Sequence, residues 1–190
     1  MIKMEIKTER LVLREWTKKD KESLIENVNN VKVSRNLLKM PFPYTDKDAD
    51  FWINECAKKI KEKPREAYEF AVELVSEGRA VGGIGLSGID DFQNMAEIGY
   101  WLGAGYWRQG IMSEAVKAVL DFGFNKLKLR KIFMYAYTEN EGSNKIAEKF
   151  GFKFEGSRRK HFKDKATGTI HDDKGYGLLK EDWEGKLDGS

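Results

Sequence analysis

Glu97-Ile-Gly-Tyr-Trp-Leu-Gly-Ala-Gly-Tyr-Trp-Arg-Gln-Gly-Ile-Met-Ser-Glu-Ala115 joins an apolar, strand-like run to a helical one through Gly103, Gly105 and Gly110. The strand candidate is Ala96 to Leu102. The helix candidate is Ser113 to Leu127, where Ala115, Val116, Val119, Leu120, Phe122 and Phe124 form a broad apolar face and Glu114, Lys117, Asp121 and Asn125 recur on the opposite side. A helix start leaves its first N–H groups without partners, and a glycine just before it lets backbone approach an anion closely. The stretch therefore reads equally as a phosphate cradle or as a plain strand-to-helix connection that uses glycine to turn. Gly105 and Gly110 share the glycine spacing of a nucleoside triphosphate loop, but Ile111 and Met112 stand where that loop needs Lys and Ser or Thr, which disfavours ATP hydrolysis. Gly83, Gly85 and Gly88 match the G-x-G-x-x-G spacing, yet they lead into another strand rather than a helix, so a bulge or close strand approach is the better reading.

Upstream, Leu11 to Leu13 between Arg10 and Arg14 read as a short strand, after which Thr17 caps a helix including Leu24, Ile25 and Val28. Thr45 with Asp46 and Asp48 starts a second helix, rich in lysine towards its end and closed by Pro64. Tyr68, Phe70, Val72 and Leu74 alternate with polar or small residues as a half-buried strand does, and Glu77-Gly78 turns into a strand over Ala80 to Leu86. Downstream, Ile132 to Tyr137 reads as a buried strand, Glu141 to Phe150 as a helix closed by Gly151, and Phe152 to Glu155 and Tyr176 to Leu179 as strands separated by a polar loop from Arg158 to Lys174.

A chain of 190 residues with 41% hydrophobic and 12% aromatic residues is long enough for one domain with a real core, here spanning the whole chain from 1 to 190. The formal charge is only +3, with both signs interspersed, so no basic stripe announces a nucleic acid or a membrane. Cys56 is the single cysteine, on an apolar helix face, which excludes an intramolecular disulfide and reads as a buried thiol in a reduced compartment. No apolar run approaches the ~20 residues of a membrane helix. The N-terminus carries charges where a signal peptide would be apolar, so a cytoplasmic location is expected. His161 and His171 are the only histidines, too few for a zinc site without cysteines; loop positions near a substrate are expected for them, and no metal.

The quoted stretch resembles the GNAT acetyltransferase superfamily, specifically its RimJ/RimL-type branch, in which a protein N-terminal amine of the ribosomal type is a common acceptor. The order of elements agrees. Thr8-Glu-Arg-Leu-Val-Leu-Arg14 resembles the opening strand of that branch, Thr138-Glu-Asn-Glu-Gly-Ser-Asn-Lys145 its second cofactor segment, and Glu148-Lys-Phe-Gly-Phe-Lys-Phe-Glu-Gly156 the strand beyond. The resemblance spans nearly the whole chain. It implies an α/β (α+β) fold with a mixed, mostly antiparallel sheet that splays near its middle, with acetyl-CoA as co-substrate. By that analogy the backbone from Arg108 through Gln109, Gly110, Ile111 and Met112 to Ser113 binds the pyrophosphate, and the edge formed by Tyr100, Trp101 and Leu102 pairs with the pantetheine amides. Asn140 matches the position that contacts the pantetheine arm, although Asn before a helix is equally a cap. Trp107 and Met112 depart from the general pattern Q/R-x-x-G-x-G/A, while Gly110 keeps its central element.

An amine can attack a thioester directly once both are held in line, so no covalent nucleophile is needed. Ser143 matches the family position near the cofactor sulfur, where a hydroxyl donor would stabilise the departing thiolate; helix capping is the other reading. Glu97, at the entrance of the splayed strand and on the face of Gly99 and Trp101, could accept the ammonium proton, or be an ordinary exposed carboxylate. Tyr135 and Tyr137 are further polar candidates, and Lys131, Lys145 and Lys149 are candidates for the adenosine 3′-phosphate or plain surface lysines. The acceptor class stays open between a protein N-terminus and a small amine such as a polyamine or antibiotic. A non-catalytic acyl-CoA-binding module is the alternative from another class, and the protein is either monomer or homodimer.

Overall fold

The glycine turn gains its meaning from the sheet that delivers it. The computed structural model describes residues 4–187. Strands β1 (Glu5–Lys7), β2 (Leu11–Glu15), β3 (Ala67–Leu74), β4 (Arg79–Asp90), β5 (Met95–Leu102), β6 (Lys131–Tyr137), β7 (Lys153–Lys163) and β8 (Ile170–Leu179) form one sheet in the order β1-β2-β3-β4-β5-β6-β8-β7. Neighbours are antiparallel except β5 and β6, which run parallel. That parallel pairing is short: Met95, Ala96 and Glu97 pair with Lys131, Ile132 and Phe133, and there it stops. Beyond it, Ile98 to Leu102 stay with β4 and Met134 to Tyr137 stay with β8, so the sheet forks.

Two cores cover the two faces. On one, α4 (Ile111–Asp121), α5 (Glu141–Phe150) and α6 (Lys180–Leu187) close over Phe70, Leu86, Ile98 and Ile132. On the other, α1 (Lys21–Val28) and α3 (Asp46–Lys59) pack against Trp16, Ala71, Ala80 and Trp101. The short α2 (Val31–Ser34) lies between those two helices in the chain. Phe70, Leu86, Leu120 and Ile132 are all completely buried, and each such side chain contributes about 1.5–3 kcal/mol by leaving water. Cys56 is buried as expected, and desolvation pushes its thiol up to about 12.

Local chemistry sets the boundaries. Thr45 and Asp48 form a reciprocal capping box, with the Thr45 N–H donating to Asp48 Oδ2 at 2.9 Å and the Asp48 N–H to Thr45 Oγ1 at 3.3 Å. Gly151, at φ +78°, closes α5 in the left-handed conformation. The sequence reading is corrected at several places. α4 starts at Ile111, two residues before Ser113, because left-handed Gly110 is its cap, and it ends at Asp121 where Phe122–Lys126 widen into a π-helical turn. Thr17 caps a 3-10 turn, Lys18–Asp20, that leads into α1. α3 ends at Lys59, before Pro64 is reached. The segment from Arg158 to Lys174 is no loop: β7 and β8 form a long hairpin, with Arg158 paired to Asp173 and Phe162 to His171. Its residues alternate poorly in polarity because β7 is an edge strand exposed along most of its length, so no buried face imposes a pattern.

Candidate active site

The mouth of α4 opens where β5 ends. Gly110 has φ +77° and Arg108 φ +61°, so the backbone takes the left-handed conformation twice within three residues just ahead of the helix. The first main-chain bond of the helix is from Glu114 N–H to the Gly110 carbonyl at 3.0 Å; among the described residues no acceptor meets the amides from 108 to 113. Ile111 and Met112 send their side chains into the core, so the bulk of Met112 lies away from this mouth.

A carboxylate sits in the same first turn, where it would repel an anion. Glu114 is turned aside by three donors from the start of the chain: Thr8 Oγ1 at 2.6 Å, the Arg10 N–H at 2.9 Å and Arg10 Nε at 2.7 Å. Burial alone would push the Glu114 carboxyl up, but these hydrogen bonds hold it below its ordinary value. Arg10 also donates from Nη1 to the Gln109 carbonyl at 3.0 Å, and Gln109 Nε2 donates to the Gly105 carbonyl at 2.9 Å, so the turn is braced from both sides. The indole of Trp107 donates to the Leu102 carbonyl at 2.8 Å, pinning the turn to the strand that precedes it.

Within the fork, the Gly103 N–H bonds to Val81 of β4 at 2.9 Å, so by strand alternation the main-chain groups of Trp101 point to β4 while those of Tyr100 and Leu102 point into the gap. With the Leu102 carbonyl taken by Trp107, the free groups on that edge are the Leu102 N–H and both groups of Tyr100. This corrects the expected contribution of Trp101, whose side chain instead stacks on Trp16 in the second core. Among the described residues the buried Tyr100 hydroxyl has no partner within hydrogen-bond geometry; burial pushes its pKa up, and nearby Ser143 acts against that shift. Ser143 is the third residue of α5, and its N–H donates to the Asn140 side chain at 3.2 Å. Asn140 is thus a helix cap in the structure.

Glu97 lies at the crotch of the fork, in the last β5–β6 pair with Phe133. The β4 register is unbroken from Glu97 to Leu102, so Glu97 shares the α1/α3 face of the sheet with Gly99 and Trp101. Burial pushes its carboxyl above the ordinary value, and Arg158 and Lys39 pull the other way. On the same face of β6, Tyr135 carries the Arg158 guanidinium 3.8 Å above its ring. Tyr137 stacks on His171 with centroids 4.1 Å apart, and its hydroxyl is buried with no partner among the described residues.

Neither histidine occupies a loop. His161 is on β7 and His171 on β8, where His171 is buried between Asp164, 2.9 Å from Nε2, and Glu139 at Nδ1. Asp164 further accepts from the amides of Thr167 and Thr169, shaping the hairpin tip. From that tip the Lys165 N–H donates to the Leu38 carbonyl at 3.2 Å, joining β7–β8 to the segment between α2 and α3. Lys131 is engaged by both oxygens of Glu155 at 2.6 and 2.8 Å, and Lys145 pairs with Glu141 at 3.6 Å within α5.

Glu97 thus sits where β5 and β6 part, Tyr100 and Leu102 follow on one arm, Ser143 neighbours the Tyr100 hydroxyl, residues 108–113 form the turn between β5 and α4, and Lys131 lines a cavity with Phe133, Tyr135 and Arg158. The sequence reading missed Thr8, Arg10 and Arg158. For the first two a signal existed, since a glutamate in the first turn of an anion-binding helix demands a neutralising partner.

The profile of the Acetyltransferase (GNAT) domain matches residues 10–153. The N-acetyltransferase p20 of Bacillus licheniformis, itself uncharacterised, is 31% identical over 180 residues, covering 94% of this chain and 97% of the relative. The ribosomal-protein-serine acetyltransferase of Escherichia coli K12 is 32% identical over 83 residues, 44% of this chain and 46% of that one. Among solved structures, a GNAT-family acetyltransferase from Bacillus anthracis superposes with a TM-score of 0.78 at 29% identity, covering 94% of this chain and 99% of its own.

Proposed function

Since the chain belongs to the GNAT acetyltransferase family, in its RimJ/RimL-type branch, and is an N-acetyltransferase, we propose that it moves acetyl from acetyl-CoA to a protein N-terminal amine of the ribosomal type, by direct attack in a ternary complex. The observation that carries this reading is the fork itself. The unpartnered amides of residues 108–113 lie at its upper end and the Glu97 carboxylate at its crotch, so one gap offers an anion cradle, a strand edge and a base in sequence.

The residues present fit the cofactor. The cradle amides, with left-handed Gly110 beside them, suit the diphosphate, and exposed Arg108 adds charge at its rim. The free main-chain groups of Tyr100 and Leu102 suit the pantetheine amides in the manner of an added strand. When bound, acetyl-CoA supplies an activated thioester carbonyl. Ser143 then provides the hydroxyl that stabilises charge on the departing sulfur, its position fixed by the cap at Asn140. Glu97, pushed up by burial, takes the ammonium proton directly or through water and leaves a neutral amine for attack. The thiol of Cys56 is buried in the α3 core, in keeping with direct transfer.

Ribosomal-protein acetylation is what the name of the Escherichia coli relative describes, and it supports the acceptor assignment here. No helix among the described residues is long and apolar enough to cross a membrane; a cytoplasmic location is part of the proposal. Incubation with labelled acetyl-CoA and a set of peptides, followed by intact-mass analysis and fragmentation, tests the reading. Label on the N-terminal amine is expected. Label confined to lysine side chains or to polyamines would overturn the acceptor, and absence of thiol release with any amine would overturn catalysis.

A further inference from the structure

Two cations act on the proposed base, which is unexpected for a site that must receive a third. Arg158 of β7 reaches back over β6, where its guanidinium lies 3.8 Å above the Tyr135 ring and 5.2 Å from that of Phe162. Asp173, with no exposed surface, accepts from Nε at 3.1 and 3.2 Å and from Nη2, so the head group is fixed in place. Nη1 has no hydrogen-bond partner among the described residues, while the side chain keeps 36% of its surface exposed. A held guanidinium with one free edge is a receptor for an oxygen anion.

Its distance from Glu97 is set by the register. Glu97 pairs with Phe133, and Tyr135, beneath Arg158, is two residues further along the same face, about 7 Å along the strand. Phe133, Tyr135, Arg158 and the Lys131–Glu155 pair line one cavity of about 480 Å³ together with Met95, which lies two residues before Glu97 on β5. Exposed Lys39 belongs to the segment that the Lys165–Leu38 bond ties to the hairpin, and its charge, like that of Arg158, opposes the upward push of burial on Glu97.

We propose that Arg158 and Lys39 make this site selective for acceptors carrying an acidic group within a few bonds of the reacting amine, the amine going to Glu97 and the acid to the free edge of Arg158. This rests on Glu97 marking the acceptor side of the fork. A peptide with Asp or Glu beside its N-terminal residue meets both requirements. A polyamine brings a second positive charge against two fixed ones and has no oxygen to offer.

The test measures kcat/KM for the C-terminally amidated peptides Ala-Asp-Ala, Ala-Asn-Ala and Ala-Lys-Ala, and for spermidine, with acetyl-CoA saturating. The Asp peptide is expected to exceed the Asn peptide about tenfold, with the Lys peptide and spermidine lower still. Lys39→Glu, at an exposed position, is expected to shrink the Asp preference severalfold, and Arg158→Lys, which keeps a charge beside buried Asp173, to shrink it further. Equal values for the three peptides, a preference for Lys or spermidine, or a preference untouched by Lys39→Glu would overturn the selectivity while leaving acetyl transfer standing. Absence of thiol release with all four amines would instead defeat the acetyltransferase reading, and this inference with it.

Discussion

Arg10 Nε lies 2.7 Å from Glu114 Oε2, although 104 positions separate the two residues in the chain. The pair ties the turn between β1 and β2 to the helix whose mouth is the proposed diphosphate cradle, and it neutralises the one carboxylate in the first turn of that helix. Arg10→Ala is therefore expected to raise the Kd for acetyl-CoA about tenfold, since an uncompensated carboxylate then confronts the cofactor. Calorimetry at low and high salt checks it: the loss should shrink as ionic strength rises, and adding Glu114→Gln should restore much of the affinity. An unchanged Kd in the single variant removes the neutralising role.

Gly110→Val tests the cradle directly. A branched side chain at φ +77° is strained, and its Cβ would stand 3.4 Å from Arg10 Nη2. Binding of acetyl-CoA should weaken at least tenfold while the circular dichroism spectrum stays that of the wild type. Retained affinity would sink the assignment of residues 108–113.

Ser143→Ala should lower kcat by at least about tenfold with little change in the KM for acetyl-CoA, because a donor to the departing sulfur acts only as charge develops. If steady-state kinetics show wild-type turnover, the hydroxyl has only a structural part to play.

Tyr100→Phe separates stability from turnover. Its buried hydroxyl has no hydrogen-bond partner among the described residues, so removing it should leave Tm unchanged or raise it. Because that hydroxyl neighbours Ser143 at the fork, kcat should nevertheless fall. A drop in Tm measured by calorimetry would show that the group is already satisfied.

The hairpin tip carries a pH signature. Burial opposes the charge on His171, yet Asp164 and Glu139 raise its pKa above the ordinary 6.5, while Asp164, despite burial, is held down to about 2 against an ordinary 3.8. The histidine's contribution is complete below its unfolded value and fades as pH rises through the folded one; that of Asp164 is complete above its unfolded value and fades as pH falls towards about 2. Stability from this pair should therefore be greatest between about pH 4 and 6.5. Asp164→Asn is expected to cost about 2 kcal/mol and lower Tm by about 4–8 °C near pH 6, with a smaller deficit above pH 8. A deficit independent of pH would mean that the histidine is not charged in the fold.

How much of the fold is legible in the sequence depends on where burial imposes a pattern. β3, β5, β6 and α5 are visible in the chain because one face of each meets a core, and Phe70, Ile98, Ile132 and Ala147 mark that face at the right period. β7 is visible only at its start, Phe152 to Glu155, and its continuation is hidden for the opposite reason, since an exposed edge strand rich in Arg and Lys alternates against nothing. The cradle can be read because glycine before a helix has a narrow range of uses. For Arg10 the first-turn Glu114 signals that a neutralising partner is needed but not which residue supplies it, and Arg158 carries no such signal; each acts through partners distant in sequence that only the strand order brings together. Trp101 fails differently, because its neighbours Tyr100 and Leu102 share its sequence context while alternation turns its backbone the other way.

The bond from Lys165 to the Leu38 carbonyl makes the hairpin tip a clasp between two remote pieces of chain. Arg158 on β7 and Lys39 beside Leu38 are thereby carried by joined segments, so a disturbance that frees the clasp reaches both charges at once.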